Sequence, residues 1–320
     1  MKKHLFWGLA VLAPAMPWPA GASCGSAFCT LNTNWDIQGQ VTEPGLRADL
    51  RYEYVRQDQP MSGSRKVSVG EIPRDHDELL TTNRNWLPSL DYGGRDWGVN
   101  LLLPFVERHH EHLHNDPGGG QELETWNFKE VGDMRILARR RLTTLGEEGN
   151  SPATLGVNLG VKLPTGDTDV RNAEGERAER TLQPGTGTAD LLLGGYFAQA
   201  FHAADLSWFA QVLAQLPMNS NEDYRPGKRF TADTGLRYAA AEKVSLMLQL
   251  NFLYKGRDSG AQAEPEDSGG KFLYISPGAG FSLTDSIQAY AFIQLPLYQY
   301  VNGVQLTAQR AFAVGITGRF

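Results

Sequence analysis

The chain has 320 residues, 41% hydrophobic and 21% charged, with two cysteines and a formal net charge of −6. That apolar fraction excludes a disordered chain, and two cysteines exclude a disulfide scaffold. The acidic balance excludes the basic surface of a nucleic-acid binder, so no nucleic-acid partner is expected.

Lys2 and Lys3 open the chain, Leu5 to Leu12 form a short apolar core, and Pro14, Pro17 and Pro19 stop a helix. Ala20-Gly21-Ala22 supplies small residues for a signal peptidase. Residues 1–22 therefore read as a cleaved signal peptide, and the rest of the chain is expected in an oxidising, exported space. Beyond residue 22 no apolar run reaches about 18 residues, so no membrane-spanning helix is expected.

From residue 45 on, apolar and polar residues alternate. Leu46, Ala48, Leu50, Tyr52 and Tyr54 share one face, opposite Arg47, Asp49, Arg51 and Glu53. Leu155, Val157, Leu159, Val161 and Leu163 repeat the pattern, as do Leu206 to Leu216 and Val244 to Tyr254 at every second position. Runs of ten or more suit a tilted membrane-spanning strand of about 9–11 residues better than a soluble strand of about 5–6. A closed barrel is the sheet that satisfies every backbone group in lipid.

The spacing predicts twelve strands, at 45–57, 82–93, 95–108, 129–142, 152–164, 186–201, 204–218, 229–240, 243–257, 271–283, 286–301 and 303–320. Short turns, such as Gly93-Gly94 and Thr284-Asp285, alternate with long links at 58–81, 109–128, 165–185, 219–228 and 258–270. Short periplasmic turns and longer outer loops are the outer-membrane arrangement. The expected fold is an all-β, transmembrane antiparallel barrel over 45–320 in the bacterial outer membrane, with lipid as its partner. Residues 23–44 form a periplasmic segment that would be a plug if it threads inward. Phe320, with Phe312, Val314, Ile316 and Gly318 before it at every second position, resembles the terminal strand recognised by the barrel assembly machinery. That machinery is a second expected partner.

Two motifs carry a further likeness. Gly160-Val161-Lys162-Leu163-Pro164-Thr165-Gly166-Asp167 ends one strand, and Leu182-Gln183-Pro184-Gly185-Thr186-Gly187-Thr188-Ala189-Asp190 opens the next. The pair resembles the outer-membrane transporter family named for the meta pathway of phenol degradation. The resemblance implies passage of small, aromatic compounds. Physically, Pro164 ends ladder pairing and the glycines allow the chain to leave and re-enter the sheet, so the motif reads as structural.

The inward set predicted by alternation is Arg47, Asp49, Arg51, Glu53, Asp91, Asp133, Arg135, Arg139, Lys162, Asp190, Asp233, Arg237 and Lys255. Both signs occur, which fits either a salt-bridged, filled lumen or a polar channel. The metal signal is sharper. Four of seven histidines lie in His109-His110-Glu111-His112-Leu113-His114, and Asp75-His76-Asp77-Glu78 stands in the preceding long link. Imidazole with carboxylate suits Zn, Cu or Ni, so these residues are expected to hold such an ion at the outer mouth. Cys24 and Cys29 read first as a disulfide and second as a thiolate pair for metal. No nucleophile stands beside a base, so no enzyme is expected. The primary expectation is a small-solute channel or transporter with metal-binding outer loops, its cargo a metal ion or a small molecule. A diffusion channel for small organic compounds is the alternative, and a filled structural barrel the third reading.

Overall fold

The computed structural model describes residues 23–24, 29–33, 44–116, 118–146 and 152–320. The expected signal peptide, 1–22, and the plug residues Asn34 and Trp35 lie outside the described residues. The chain forms β1 (Ser23–Cys24), β2 (Gly45–Gly63), β3 (Arg65–Lys66), β4 (His76–Gly93), β5 (Trp97–Leu102), β6 (Phe105–Asn115), β7 (Gln121–Val131) and β8 (Arg135–Leu145). It continues as β9 (Ala153–Lys162), β10 (Asp190–Phe201), β11 (Leu206–Pro217), β12 (Arg229–Ala241), β13 (Val244–Lys255), β14 (Gly270–Ser282) and β15 (Ile287–Arg319). The one helical piece among the described residues is a 3-10 turn at His202–Ala204.

The sheet closes into an antiparallel barrel. β2 pairs with β4 on one side and β15 on the other, and β14 through β8 and then β5 complete the ring. Eleven strand segments make that ring, and the 33-residue β15 spans both of the strands expected at 286–301 and 303–320. Its first limb pairs with β14 and its second with β2, and Gly303, at φ +57°, turns the chain between them. Gly45 and Phe320 meet at one end, where Leu46 and Phe320 exchange backbone hydrogen bonds. The short turns lie at that end and the long loops at the other.

The wall is apolar outside and polar inside. On β13, Leu246 is 51% exposed and Leu248 and Leu250 are also exposed, whereas Gln249 and Asn251 on the alternate face are buried. The same alternation exposes Leu155, Val157 and Leu159 on β9 over buried Asn158, and Leu50 on β2 beside buried Arg51 and Glu53. A bare apolar belt over a polar interior is the reverse of a soluble sandwich and fits a lipid-facing surface. The polar interior pairs with itself. Ser276 donates to Asn251 Oδ1 at 2.8 Å, and Asn251 Nδ2 donates to Asp233 Oδ1 at 2.8 Å.

One predicted link is a correction. Residues 109–128 are not a loop but part of the hairpin β6–β7, which extends the sheet beside β4 above the level of Pro104. β5 and β6 are one strand broken at Leu103-Pro104, and β7 and β8 are one strand broken at 132–134. Pro104 has no N–H for the ladder, while its carbonyl accepts from Gly132 N at 2.8 Å. Both strands therefore bend at the same level, and β8 takes β9 as its neighbour while β7 pairs with β6 alone.

Inside the wall, Tyr196 lies over its cross-strand partner Gly156, where an added Cβ would stand 2.2 Å from the ring. Gly156→Leu is expected to push Tyr196 off the wall and cost about 1–3 kcal/mol, the usual penalty for overpacking. Urea unfolding of the detergent-folded barrel measures this; an unchanged midpoint would show that the ring can move without loss.

Candidate functional site

The two sequence motifs meet at one carboxylate. Asp133, in the bend between β7 and β8, accepts from Gly166 N at 3.1 Å, Thr186 N at 2.9 Å and Lys162 Nζ at 2.7 Å. Lys162 also donates to Thr188 O at 2.8 Å and lies 3.5 Å from Asp190 Oδ2. Gly166 and Gly185 touch backbone to backbone, and a Cβ on Gly185 would stand 2.4 Å from Gly166 O. The motif thus ties both ends of the 163–189 loop to the barrel rim. Charge-assisted hydrogen bonds of this kind are roughly twice as strong as neutral ones.

Residues 29–33 run inside the barrel. Cys29 N donates to Glu53 Oε2 at 3.1 Å, Thr30 N to Gln294 Oε1 at 3.3 Å and Asn32 N to Gln249 Oε1 at 3.1 Å. Gln249 returns a bond to Asn32 O at 2.9 Å, and Arg51 reaches Thr33 Oγ1 at 2.5 Å. The inward side chains of the wall thus satisfy the backbone of this segment, as any buried chain requires. Cys29 is a buried free thiol, which corrects the expected disulfide. Cys24 stands opposite Leu306 of β15, whereas Cys29 Sγ lies against Phe312 O. Six strand positions, on the order of 20 Å, separate those two landmarks, far beyond disulfide reach. The Cys24 side chain lies outside the described residues.

A cavity of about 400 Å³ extends from residues 29–33 toward the long-loop end. Of the predicted inward residues, Asp49, Arg51, Asp133, Arg135, Lys162, Asp233 and Lys255 line it. Arg139 is instead held by Asp91 at 2.7 Å, and Glu53 by Arg51 at 3.0 Å. Asp190 is fully buried beneath Lys162 and Gln215. Arg237 Nη2 reaches Ser245 Oγ at 3.5 Å, and Arg47 sits half-buried at the short-turn end. Arg229, Arg180 and Tyr224 also line the cavity and were missed. Arg229 shares the face of Asp233 and Arg237, so alternation could have found it; Arg180 and Tyr224 come from loops, where no periodicity operates.

At the mouth, β4, β6 and β7 project beyond the apolar belt that Trp86, Leu90 and Phe105 mark. His76 and His112 stack there with ring centroids 4.6 Å apart. His76 Nε2 lies 3.0 Å from Glu179 Oε1 and 3.9 Å from Glu78 Oε1. His76, Glu78, His112 and Glu179 offer ligand atoms all within 4.8 Å of one another. His110 stands next to them, its Nε2 3.5 Å from Glu78 Oε2 and its Nδ1 2.8 Å from Thr81 Oγ1.

The other residues expected to bind metal do not join this cluster. His109 lies on the opposite face, between Asn127 at 2.6 Å and Glu111 at 2.8 Å. His114 is exposed, 3.9 Å from Asp116. Asp77 accepts from Asn115 Nδ2 at 3.0 Å, and the Asp75 carbonyl accepts from Asn115 N at 2.7 Å. Glu179 had no sequence signal, because a loop 67 residues beyond His112 delivers it. Arg108, through Leu182 O, and Trp126, through Glu176 O at 3.1 Å, bind that loop to the hairpin. Trp126, Ala178, Leu182 and Leu306 bury one another beneath it.

The electrostatics of the mouth follow from burial. Desolvation, then the neighbouring His76 and His114, push His112 down to about 3, and desolvation holds His110 well below its ordinary value. Burial, then the carboxylates of Glu179 and Glu78, raise Glu264 far above the carboxylate range.

The model of the family described as "Putative MetA-pathway of phenol degradation" matches residues 77–314. No curated protein matches the sequence. Among solved structures, an outer membrane channel from Pseudomonas putida F1 superposes with a TM-score of 0.69 at 15% identity, covering 91% of this chain and 100% of that one. The P. putida toluene transporter TodX gives a TM-score of 0.43 at 9% identity, covering 87% of this chain and 91% of that one. At 15% identity the likeness to the P. putida F1 channel is one of fold.

His112 gives the mouth a pH dependence whose sign is fixed. Its folded value lies below the 6.5 of the free side chain, so the unfolded hairpin binds the extra proton first. The contribution is whole above about pH 6.5 and is lost as pH falls toward about 3. Amide exchange over 105–131 is expected to accelerate across that window, and less so in His112→Gln; equal acceleration in both would assign the effect elsewhere.

Proposed function

The chain belongs to the outer-membrane family whose model it matches, that of the MetA pathway of phenol degradation, and on that premise we propose that it is a passive channel for small organic compounds, with those carrying a carboxylate favoured. The protein lies in the bacterial outer membrane, with its short turns toward the periplasm and its long loops outward.

The lumenal cavity is the observation that carries the reading. Its volume of about 400 Å³ suits a small organic molecule. Leu87, Leu102, Leu137, Leu213 and Phe272 give it an apolar wall. Arg51, Arg135, Lys162, Arg180, Arg229 and Lys255 face Asp49, Asp133 and Asp233 across it, so the cationic groups predominate. Lys162 and Arg51 already hold carboxylates. Arg135 and Arg229 have no carboxylate within 4.0 Å among the described residues, and Arg135 donates to Gln215 Oε1 instead. Two guanidiniums beside an apolar wall match an aromatic or aliphatic carboxylate. The same excess of positive charge disfavours a metal-ion cargo, and no histidine lines the cavity. The organic-solute reading therefore stands ahead of metal uptake. Residues 29–33 act in this reading as a plug on the periplasmic side.

Permeation into liposomes tests both parts. Benzoate is expected to enter several-fold faster than benzyl alcohol, and the double variant Arg135→Ala/Arg229→Ala to lose that preference. Equal entry of the two through the parent protein would overturn the anion preference. Deleting residues 23–44 is expected to raise single-channel conductance several-fold. An unchanged conductance would remove the plug, and no permeation above protein-free liposomes in either form would remove the channel.

A further inference from the structure

The clustered ligands at the mouth do not belong to the solute path, since none of the four lines the cavity. They come from three stretches of chain that meet in the folded protein. His76 and Glu78 stand at the start of β4, His112 stands in β6, and Glu179 stands in the 163–189 loop. We propose that His76, Glu78, His112 and Glu179 bind one divalent transition-metal ion of the Zn²⁺ class, which clasps the β6–β7 hairpin and the 163–189 loop together over the outer mouth.

The donor set suits that ion. Two imidazoles and two carboxylates are borderline-soft nitrogen and hard oxygen ligands, a combination Zn²⁺ accepts in a tetrahedral shell. With bonds of about 2.0–2.2 Å, ligand atoms in such a shell stand roughly 3.4 Å apart. His76 Nε2 already lies 3.0 Å from Glu179 Oε1 and 3.9 Å from Glu78 Oε1, and the whole set fits within 4.8 Å. Side-chain shifts of about an ångström close the shell.

The charge also fits. Glu78 and Glu179 bring two negative charges to a site where His76, Glu78 and His112 are all buried. Both oxygens of Glu179 lack a hydrogen bond, although His76 stands beside one of them, and Oε2 of the neighbouring Glu264 lacks one too. Arg74, the cation nearby, is engaged with Asp267 at 2.6 Å. A doubly charged ion would balance the two carboxylates. An outer shell is in place as well: Glu124 Oε2 lies 2.7 Å from His112 Nε2, and His110 backs Glu78 at 3.5 Å. Carboxylates set behind metal-binding histidines orient the rings and raise their basicity.

Co²⁺ titration of metal-free folded protein tests the site, because four-coordinate Co²⁺ gives intense visible bands. One Co²⁺ per chain with such bands, displaced by Zn²⁺, is the expected result. Glu179→Gln and His112→Ala should weaken binding at least tenfold, and the double variant His109→Ala/His114→Ala should leave it unchanged. Glu179→Gln keeps the shape of its side chain, and heat-modified gel mobility reports whether each barrel is folded. Binding that survives Glu179→Gln, or that disappears only with His109 and His114, would overturn the site and leave surface histidines as the binders. Metal should also slow amide exchange over 105–131 and 176–182; a bound ion that changes neither segment would overturn the clasp. These readouts do not involve solute passage, so their failure and that of the channel reading are separable.

Discussion

The absence of water around the barrel wall is the constraint on which the rest of the structure depends. In lipid a lone backbone N–H or C=O costs several kcal/mol, so an open sheet edge cannot persist there. The ring closes through β15 and β2, whose register runs from Val301 opposite Gly63 to Arg319 opposite Arg47. Once closed, the wall leaves each side chain only two directions, lipid or lumen. Most apolar side chains go out, and beside a few inward apolar groups such as Leu253 and Phe272 the interior fills with Gln, Asn, Ser and charged groups that must satisfy one another. That interior is what lets residues 29–33 pass through it, because Glu53, Gln249 and Gln294 supply the hydrogen bonds that a ladder would otherwise give.

A second decision is taken at the level of Pro104 and Gly132. The ladder is interrupted there, and above it the hairpin continues from β4 as an edge that reaches the 163–189 loop. Asp133 stands at the same bend and holds both ends of that loop through Lys162, Gly166 and Thr186. The bend and the node together fix the floor and the cover of the mouth. Loss of either would leave the barrel intact and its entrance unshaped.

The barrel was legible because a period of two is written directly in the side chains. Leu246, Leu248 and Leu250 declare their face without reference to any other strand. Arg229 could be read the same way, from its position on the face of Asp233. The ends of strands were less legible. The histidine-rich stretch carries too little apolar content to look like a strand, yet it pairs along its whole length with β4 and β7. The mouth cluster was half legible: His76, Glu78 and His112 stand in conspicuous polar runs, but Glu179 arrives through a loop fold that depends on Trp126, Leu182 and Asp133. The Cys24 and Cys29 spacing misled for a related reason. Proximity in sequence does not by itself imply contact, and the backbone of Cys24 and the thiol of Cys29 lie against positions six residues apart on β15.

The adjacency of Leu46 and Phe320 has a consequence for biogenesis. The strand that seals the cylinder, β15, follows its partner β2 by some 250 residues in the chain. No intermediate lacking β15 can be a complete cylinder, so the chain has to stay unsealed until β15 is present. Closure of this kind is a non-local event, intrinsically slow, during which an apolar belt and two unpaired edges are exposed together. Insertion into lipid and sealing are thereby bound into a single late step. The exposed terminal Phe320 sits at the seam where that step finishes.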